Sequence, residues 1–456
     1  MTKVAPFRMI GNLYFVGTKE ASSHLIDTGD GLILIDTGYE ETADAIVESM
    51  EILGFQMQDV KIILHSHGHL DHTDGTAKLL RLAPEAKTYL SFRDIRYIKG
   101  FTPDYDILDG DVIKLGNTEI ECLFTPGHTE GSVSFFLDVV EDGKTYRAAM
   151  FGGSGVKQLR KEFMDGWRVP YLCRGQFFDS VERLLKIPVD VMIGNHTWQN
   201  HTLEKGAMME TATVNPFIDP TEWGNYLARL HAALWRTIDA DKRNRFVCYT
   251  RCGRSANSRE DCVKWVERGI QLGANGVLAS VERAQDGTLV LSETATAGTG
   301  LPLSLESFLT RFSSEPLTLS LQLKEDGLEV ELAEYIYRFG VEKRTVFTSD
   351  VLARLQAIKA RDAHLRVGYF AGEVDNALLQ KLVECDVDEI GLRASRINEA
   401  EVIRLHRIGF NVCVYGEVSE AEMQGLYDAG VDGITTVLPD AWLETAAKSN
   451  EEKGIK

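Results

Sequence analysis

His65-Ser66-His67-Gly68-His69-Leu70-Asp71-His72 directly follows the apolar run Val60-Lys61-Ile62-Ile63-Leu64. The run reads as a buried strand. At its mouth His67, His69, Asp71 and His72 crowd four potential ligands into six positions. Imidazoles and a carboxylate suit zinc(II) or a similar borderline cation. Alternation along an extended segment puts His67 and His69 on one side, within reach of one ion. Asp71 and His72, one turn later, point toward a second ion nearby. His128 follows the alternating run Glu119-Ile120-Glu121-Cys122-Leu123, and His196 follows Asp190-Val191-Met192-Ile193. Both sit where a strand gives way to a turn. Loops at strand ends above a packed scaffold are how open catalytic metal sites are usually built.

Residues 1–240 resemble the metallo-β-lactamase superfamily. Leu34-Ile35-Asp36-Thr37-Gly38 matches its early L-I-D-T-G strand end, His67–His72 its H-x-H-x-D-H signature, and Thr125-Pro126-Gly127-His128-Thr129 its T-P-G-H-T turn. His196 falls where the last metal ligand belongs. The resemblance implies an αββα sandwich of two mixed sheets flanked by helices. It departs at Ala149-Met150-Phe151-Gly152-Gly153-Ser154-Gly155, where Gly153 replaces the Asp that bridges both metals in most hydrolases of the superfamily. One β-lactamase subclass also lacks that Asp. It is similar in Asn12-Leu13-Tyr14-Phe15-Val16-Gly17 with Ser22-Ser23, and in Asn215-Pro216-Phe217-Ile218-Asp219-Pro220. The subclass implies a first site of His67, His69 and His128 and a second of Asp71, His72 and His196. One or two zinc ions per chain are expected, the second held more weakly. Asp71 is the candidate catalytic residue, holding the second metal and orienting the nucleophile. Asp36 is a candidate partner behind the site, or simply a turn Asp before Gly38. His65 reads as structural, His24 as packed, and His201 as a solvated loop residue.

Composition narrows the class. A chain of 456 residues exceeds what one core usually supports, so two domains are expected. No apolar run approaches the roughly 18 residues that cross a bilayer, and Met1–Arg8 has no apolar core of a secretion signal. Seven scattered cysteines point to reduced thiols and a cytoplasmic address. Cys248 and Cys252 have no second pair to complete a metal site. A net charge of −19 disfavours nucleic acid. The expected partner is a small-molecule substrate, without nucleic acid or membrane; a homo-oligomer stays open. Lys157, Arg160, Lys161, Arg168 and Arg174 cluster between two site elements, as a solvated insertion loop or as a greeting for an anionic substrate.

Pro220-Thr221-Glu222-Trp223 opens a helix through Leu227, Leu230, Ala233 and Leu234, and Asp239–Asn244 reads as a polar linker. Beyond it, short apolar strands are expected at 245–249, 276–281, 288–291, 317–323, 345–347, 366–369, 389–392, 411–415 and 433–436, alternating with helices. About eight βα units point to a parallel barrel. This half resembles the glycerophosphodiester phosphodiesterase family, a TIM barrel. Gly430-Val431-Asp432-Gly433-Ile434-Thr435-Thr436 with Pro439-Asp440 matches its closing motif, and Gly273–Val277 with Asp286-Gly287 its second strand and turn. The family's catalytic positions are all replaced. Its H-R-G becomes Thr250-Arg251-Cys252, its E-x-D pair Leu278 and Ser280, its second His Glu293, and its strand Glu Gln322. These five residues are expected at the C-terminal ends of the barrel strands, without a cation.

The fold expected is therefore an αββα metallo-β-lactamase sandwich over 1–240, a (β/α)8 TIM barrel over 245–448 and a polar tail over 449–456. Fragment 244–456 is expected to fold alone. The function expected is zinc-dependent hydrolysis of an amide, lactam or ester bond by a metal-activated hydroxide, with a non-catalytic barrel. A phosphodiesterase and a non-catalytic ligand sensor are the alternatives.

Overall fold

A computed structural model describes residues 4–244, 246–252, 259–292, 303–416 and 418–452. Its contacts divide it into one unit of Met1–Val156 with Gln176–Leu234 and another of Lys157–Gly175 with Trp235–Lys456. In the first unit Phe7–Ile10 (β1), Leu13–Phe15 (β2), His24–Asp27 (β3), Leu32–Ile35 (β4), Val60–Leu64 (β5) and Lys87–Tyr89 (β6) form a sheet in chain order. Pairing is antiparallel through β4 and parallel from β4 to β6. Val112–Leu115 (β7), Thr118–Phe124 (β8), Val133–Glu141 (β9), Lys144–Met150 (β10) and Val191–Ile193 (β11) form a second, antiparallel but for the parallel pair β10–β11.

Leu32-Ile33-Leu34-Ile35 shows how the layers arise. Ile33 and Ile35 join Ile120, Phe135, Leu137 and Ile193 in the core between the sheets. Leu32 and Leu34 pack instead with Ile46 and Met50 of the helix Ala43–Ile52. A strand covered on both faces needs an unbroken apolar run. Across the second sheet Phe136 meets Trp223 and Phe151 meets Phe177, both helical residues. The result is the expected αββα sandwich.

The second unit contains a closed parallel barrel of eight strands: Val247–Arg251, Gly276–Arg283, Thr318–Leu323, Thr345–Ser349, Arg366–Phe370, Glu389–Leu392, Asn411–Val414 and Gly433–Thr435. It closes because the first strand pairs with both the second and the last. The ninth expected strand is not part of the barrel. Leu289–Ser292 pairs antiparallel with Gly276–Arg283, because Asp286-Gly287 closes a tight turn with Gly287 at φ 88°. Such a turn returns the chain antiparallel. The expected linker Asp239–Asn244 is helical, within Glu222–Asn244. It holds no Gly or Pro to stop the helix. The last helix, Pro439–Glu452, likewise runs into the expected tail. Among the described residues no helix is long and apolar enough to cross a membrane.

The basic insertion changes meaning most. Residues 157–175 group with the barrel, where the expected boundaries kept them in the first domain. They lie against the N-terminal ends of its strands. The Arg366 guanidinium sits 3.8 Å from the Tyr171 ring centroid and 2.9 Å from Asp165. Tyr171 N–H donates to Asp388 at 3.3 Å. Arg168 pairs with Asp362 and buried Arg174 with Asp241. Lys157 stacks over Phe163 at 5.2 Å. Asp165, Arg168, Tyr171 and Arg174 are thus built into the barrel base, while Lys157 and Arg160 remain exposed.

Glu389 is buried at that base. Burial pushes its carboxyl up to about 7, against the Cys413 hydrogen bond and the Lys161 charge, with Asp432 and Asp388 adding to the rise. A raised carboxyl pKa stabilises fully below the unfolded value near 4.5 and loses that contribution as pH climbs through 7. Glu389→Gln should therefore match the wild type near pH 4.5 and exceed it at pH 8, by at most on the order of 3 kcal/mol. Hydrogen-exchange protection of the barrel strands at the two pH values reads this out. Equal protection at pH 8 would contradict it.

Candidate metal centre

The site is assembled where β5, β8 and β11 run into loops. After Leu64 the chain turns through His67 and His69 into a short helix, Leu70–Thr73, that carries Asp71 and His72. His128 arrives on the turn after β8, where Gly127 has φ 139°. A Cβ there would lie 2.5 Å from the Phe177 backbone, so the T-P-G-H-T turn needs its glycine. His67, His69 and His128 lie with ring centroids 4.7–4.8 Å apart. His69 Nδ1 and His128 Nε2 are 3.1 Å apart. Beside them His72 Nε2 and His196 Nε2 lie 3.4 Å and 3.6 Å from the Asp71 carboxylate.

These donors form two overlapping groups whose ligand atoms all lie within 4.8 Å of one another: His67, His69 and His128, and His67, Asp71 and His72. The second contains His67 where the expected set has His196; His196 flanks it, its ring 5.0 Å from that of His72. Metal ions fit here for a reason internal to the molecule. His67 Nε2 is buried without a hydrogen-bond partner, a costly state for a polar atom, and His72 Nε2 beside it faces the Asp71 carboxylate at 3.4 Å. The opposite nitrogens are tied. His72 Nδ1–H donates to Asp36 at 2.8 Å, His128 Nδ1–H to Gly155 O at 2.7 Å, and His196 Nδ1–H to Glu20 O at 2.9 Å. Fixing Nδ1 aims Nε2 at the shared space and sets the tautomer.

Charge follows the same plan. Burial pulls His67 and His69 well below the ordinary histidine value, helped by neighbouring imidazoles. Burial opposes charge on His72 as well, but Asp71 and Asp36 outweigh it and raise its pKa. Burial opposes ionisation of Asp71, yet His72 and His196 hold its carboxyl far below the usual range. It is an acceptor, not an acid.

Asp36 stands behind the ligands rather than in a solvated turn. It is fully buried at φ 58° and accepts from Ser66 N at 2.8 Å, Ser66 Oγ at 2.7 Å and His72. A left-handed backbone is tolerated by Asp better than by most residues. Gly153 has no room for a carboxylate; a Cβ there would fall on Ser132 Oγ and within 2.9 Å of His128 Cβ. His65 is buried, 3.3 Å from His72 O and 3.2 Å from Thr76 Oγ1, a packing role. His24 Nε2 bonds Gly194 O at 2.9 Å, and His201 is exposed at the head of the helix Thr202–Met208.

Asp94 is the residue that sequence reasoning missed. It is buried and accepts from Gly68 N at 2.7 Å, Thr129 Oγ1 at 2.7 Å and Gly131 N at 2.8 Å. One side chain thus clamps the His67–His69 loop to the His128 turn. Burial pushes its carboxyl up to about 6 against those three bonds. Nothing in Ser91-Phe92-Arg93-Asp94 signals this. Asp94→Ala should strand three donors and weaken zinc affinity by about 10–100-fold in a chelator competition. Wild-type affinity in that variant would contradict the clamp.

At the barrel mouth, Arg251, Gln322, Lys324, Arg393 and Tyr415 line a cavity of about 410 Å³ floored by Leu278. Thr250 is not among them. Its side chain abuts Gly269 of the helix Arg259–Gln271, because alternation from Tyr249, which faces inward, turns Thr250 out. Ser280 donates to Gln322 at 3.3 Å. Glu293 lies outside the described residues. Among the described residues, both groups able to hold a metal lie in the first unit.

The Metallo-beta-lactamase superfamily model matches residues 16–140, and the Glycerophosphoryl diester phosphodiesterase family model residues 314–441. Hydroxyacylglutathione hydrolase of Synechococcus sp. is 30% identical over 171 residues, 36% of this chain and 63% of that protein. The mitochondrial persulfide dioxygenase ETHE1 of Homo sapiens is 29% identical over 186 residues, 40% of this chain and 65% of that protein. The chain thus spans less than two thirds of these relatives. The FEZ-1 metallo-beta-lactamase from Legionella gormanii aligns with a TM-score of 0.49 and 28% identity over 53% of this chain and 98% of that one. The chain carries a metallo-beta-lactamase superfamily domain at its N-terminal end and a glycerophosphoryl diester phosphodiesterase family domain at its C-terminal end.

Proposed function

We propose that the first unit is a zinc-dependent hydrolase acting on an amide, lactam or ester bond of a small molecule, and that the barrel does not catalyse. The observation that carries this reading is the orphaned, buried Nε2 of His67 at the centre of the cluster, amid His72, His128 and His196, whose Nδ1 atoms are already tied. His67, His69 and His128 would hold one ion, and Asp71, His72 and His196 the second. A donor set of five imidazoles and a carboxylate favours zinc. Zinc bound there supplies Lewis acidity and lowers the pKa of a water to about 7. Asp36, Gly155 and Glu20 hold the imidazoles in place, and ionised Asp71 orients the nucleophile by accepting its proton in a hydrogen bond. Two relatives, a hydroxyacylglutathione hydrolase and an atrochrysone carboxyl ACP thioesterase, have names that denote cleavage at a carbonyl. Leu278, Ser280 and Gln322, which stand where the barrel's family holds a cation, bring none of the carboxylates one prefers.

The purified full chain, assayed against carboxylic esters, lactones, β-lactams and phosphodiesters with zinc supplied, tests the proposal. Turnover of a carboxyl substrate supports it. Turnover of phosphodiesters alone favours the phosphodiesterase reading, and binding without any turnover the sensor.

A further inference from the structure

The loop 195–200 is pinned along its length. Asn195 N donates to Gln199 Oε1 at 3.0 Å, Thr197 Oγ1 to Lys19 O at 2.8 Å, Gln199 Nε2 to Ser154 Oγ at 2.8 Å and Asn200 Nδ2 to Met192 O at 2.8 Å. Thr197, Gln199 and Asn200 are buried, yet Trp198 in their midst is 62% exposed. A loop held this way cannot fold its indole under, so the exposure is a fixed property of the site. The ring lies flat on His196, with centroids 5.7 Å apart and planes 15° apart. On the other flank Tyr97 stands edge-on to His69 at 5.4 Å. An aromatic side chain therefore borders each end of the ligand cluster.

The charges nearby are mostly negative. Asp71 is partly exposed, and Asp71, Glu41 and Glu20 all bear on Tyr39. Arg96, stacked over Tyr97 at 4.6 Å, is already paired with Glu130 at 2.7 Å. Metal ions held by the cluster would outweigh these carboxylates, so shape rather than charge sets the preference: a flat ring entering the site meets an indole face.

We infer that Trp198 is the platform on which the substrate stacks, and that the substrates are carboxylic esters bearing a flat aryl group. This rests on the hydrolase reading. Cleavage adds water across the acyl C–O bond, giving a carboxylic acid and a phenol or alcohol, with no other reactant. Stacking on an exposed indole should contribute about tenfold in affinity.

The zinc-loaded full chain is assayed with 2-naphthyl acetate and with cyclohexyl acetate. Binding of 2-acetylnaphthalene, which has no scissile ester, is followed separately by calorimetry. Trp198→Ala should weaken the ketone about tenfold and raise KM for naphthyl acetate by a similar factor, the loss falling mainly on KM; Trp198→Phe should recover most of both. The naphthyl ester should be cleaved about tenfold more efficiently than its cyclohexyl counterpart, which has no flat ring to stack. Equal ketone binding by wild type and Trp198→Ala, or preference for the cyclohexyl ester, overturns the inference. Trp198-dependent ketone binding without cleavage of any ester upholds the platform and removes the hydrolase reading instead.

Discussion

Expressed alone, fragment 244–456 is expected to be unfolded or molten, although its sequence reads as a complete barrel. The fragment omits 157–175, and with it Tyr171 and Leu172, both buried in the second unit. It also omits Ile238, buried on the helix that ends at Asn244. Each such side chain contributes about 1.5–3 kcal/mol by burial. Arg366 loses its stacking partner and Asp165, worth up to about 2 kcal/mol more. The sum, on the order of 5–10 kcal/mol, rivals the whole stability of a domain. Near-ultraviolet circular dichroism and binding of a hydrophobic dye distinguish the states. A chain of 235–456 preceded by 157–175 on a flexible linker should regain a cooperative transition. A native-like spectrum from 244–456 by itself would show that the insertion is dispensable.

His67→Ala is expected to have the largest effect in the first unit. His67 is the one residue common to both ligand groups, and its Nε2 is buried without a hydrogen-bond partner. Removing it should deprive the protein of tightly bound metal and lower turnover by on the order of 10³-fold or more. The fold should persist, since the sheets close on Ile33, Ile62, Phe135 and their neighbours without it. Metal analysis after buffer exchange, with circular dichroism as the check on folding, reads this out. Full metal content in the variant would place the ions elsewhere.

The ligand motif was legible because its members are nearly contiguous and carry their chemistry in their identity. The two folds were legible because doubly covered strands must be apolar throughout, as in Leu32–Ile35, and because βα units repeat along the second half. Asp94 was not, since its role depends on burial against Gly68 and Gly131, which one loop Asp does not announce. The basic insertion misled for a similar reason. Arg168 and Arg174 find Asp362 and Asp241 far along the chain, and no local pattern links them. Thr250 misled through parity alone: one residue of strand register separates facing the mouth from facing a helix. The 239–244 segment read as a linker on polarity, but a charged stretch without Gly or Pro is as well suited to a solvated helix face.

Zinc content measured alongside turnover, through chelation and reconstitution of the full-length chain, bears most directly on the metallohydrolase reading. One to two zinc ions per chain are expected. Cleavage of a carboxyl substrate should disappear with their removal and return with their restoration. A protein that binds no transition metal, or one whose hydrolysis persists unchanged after metal is stripped, would contradict it.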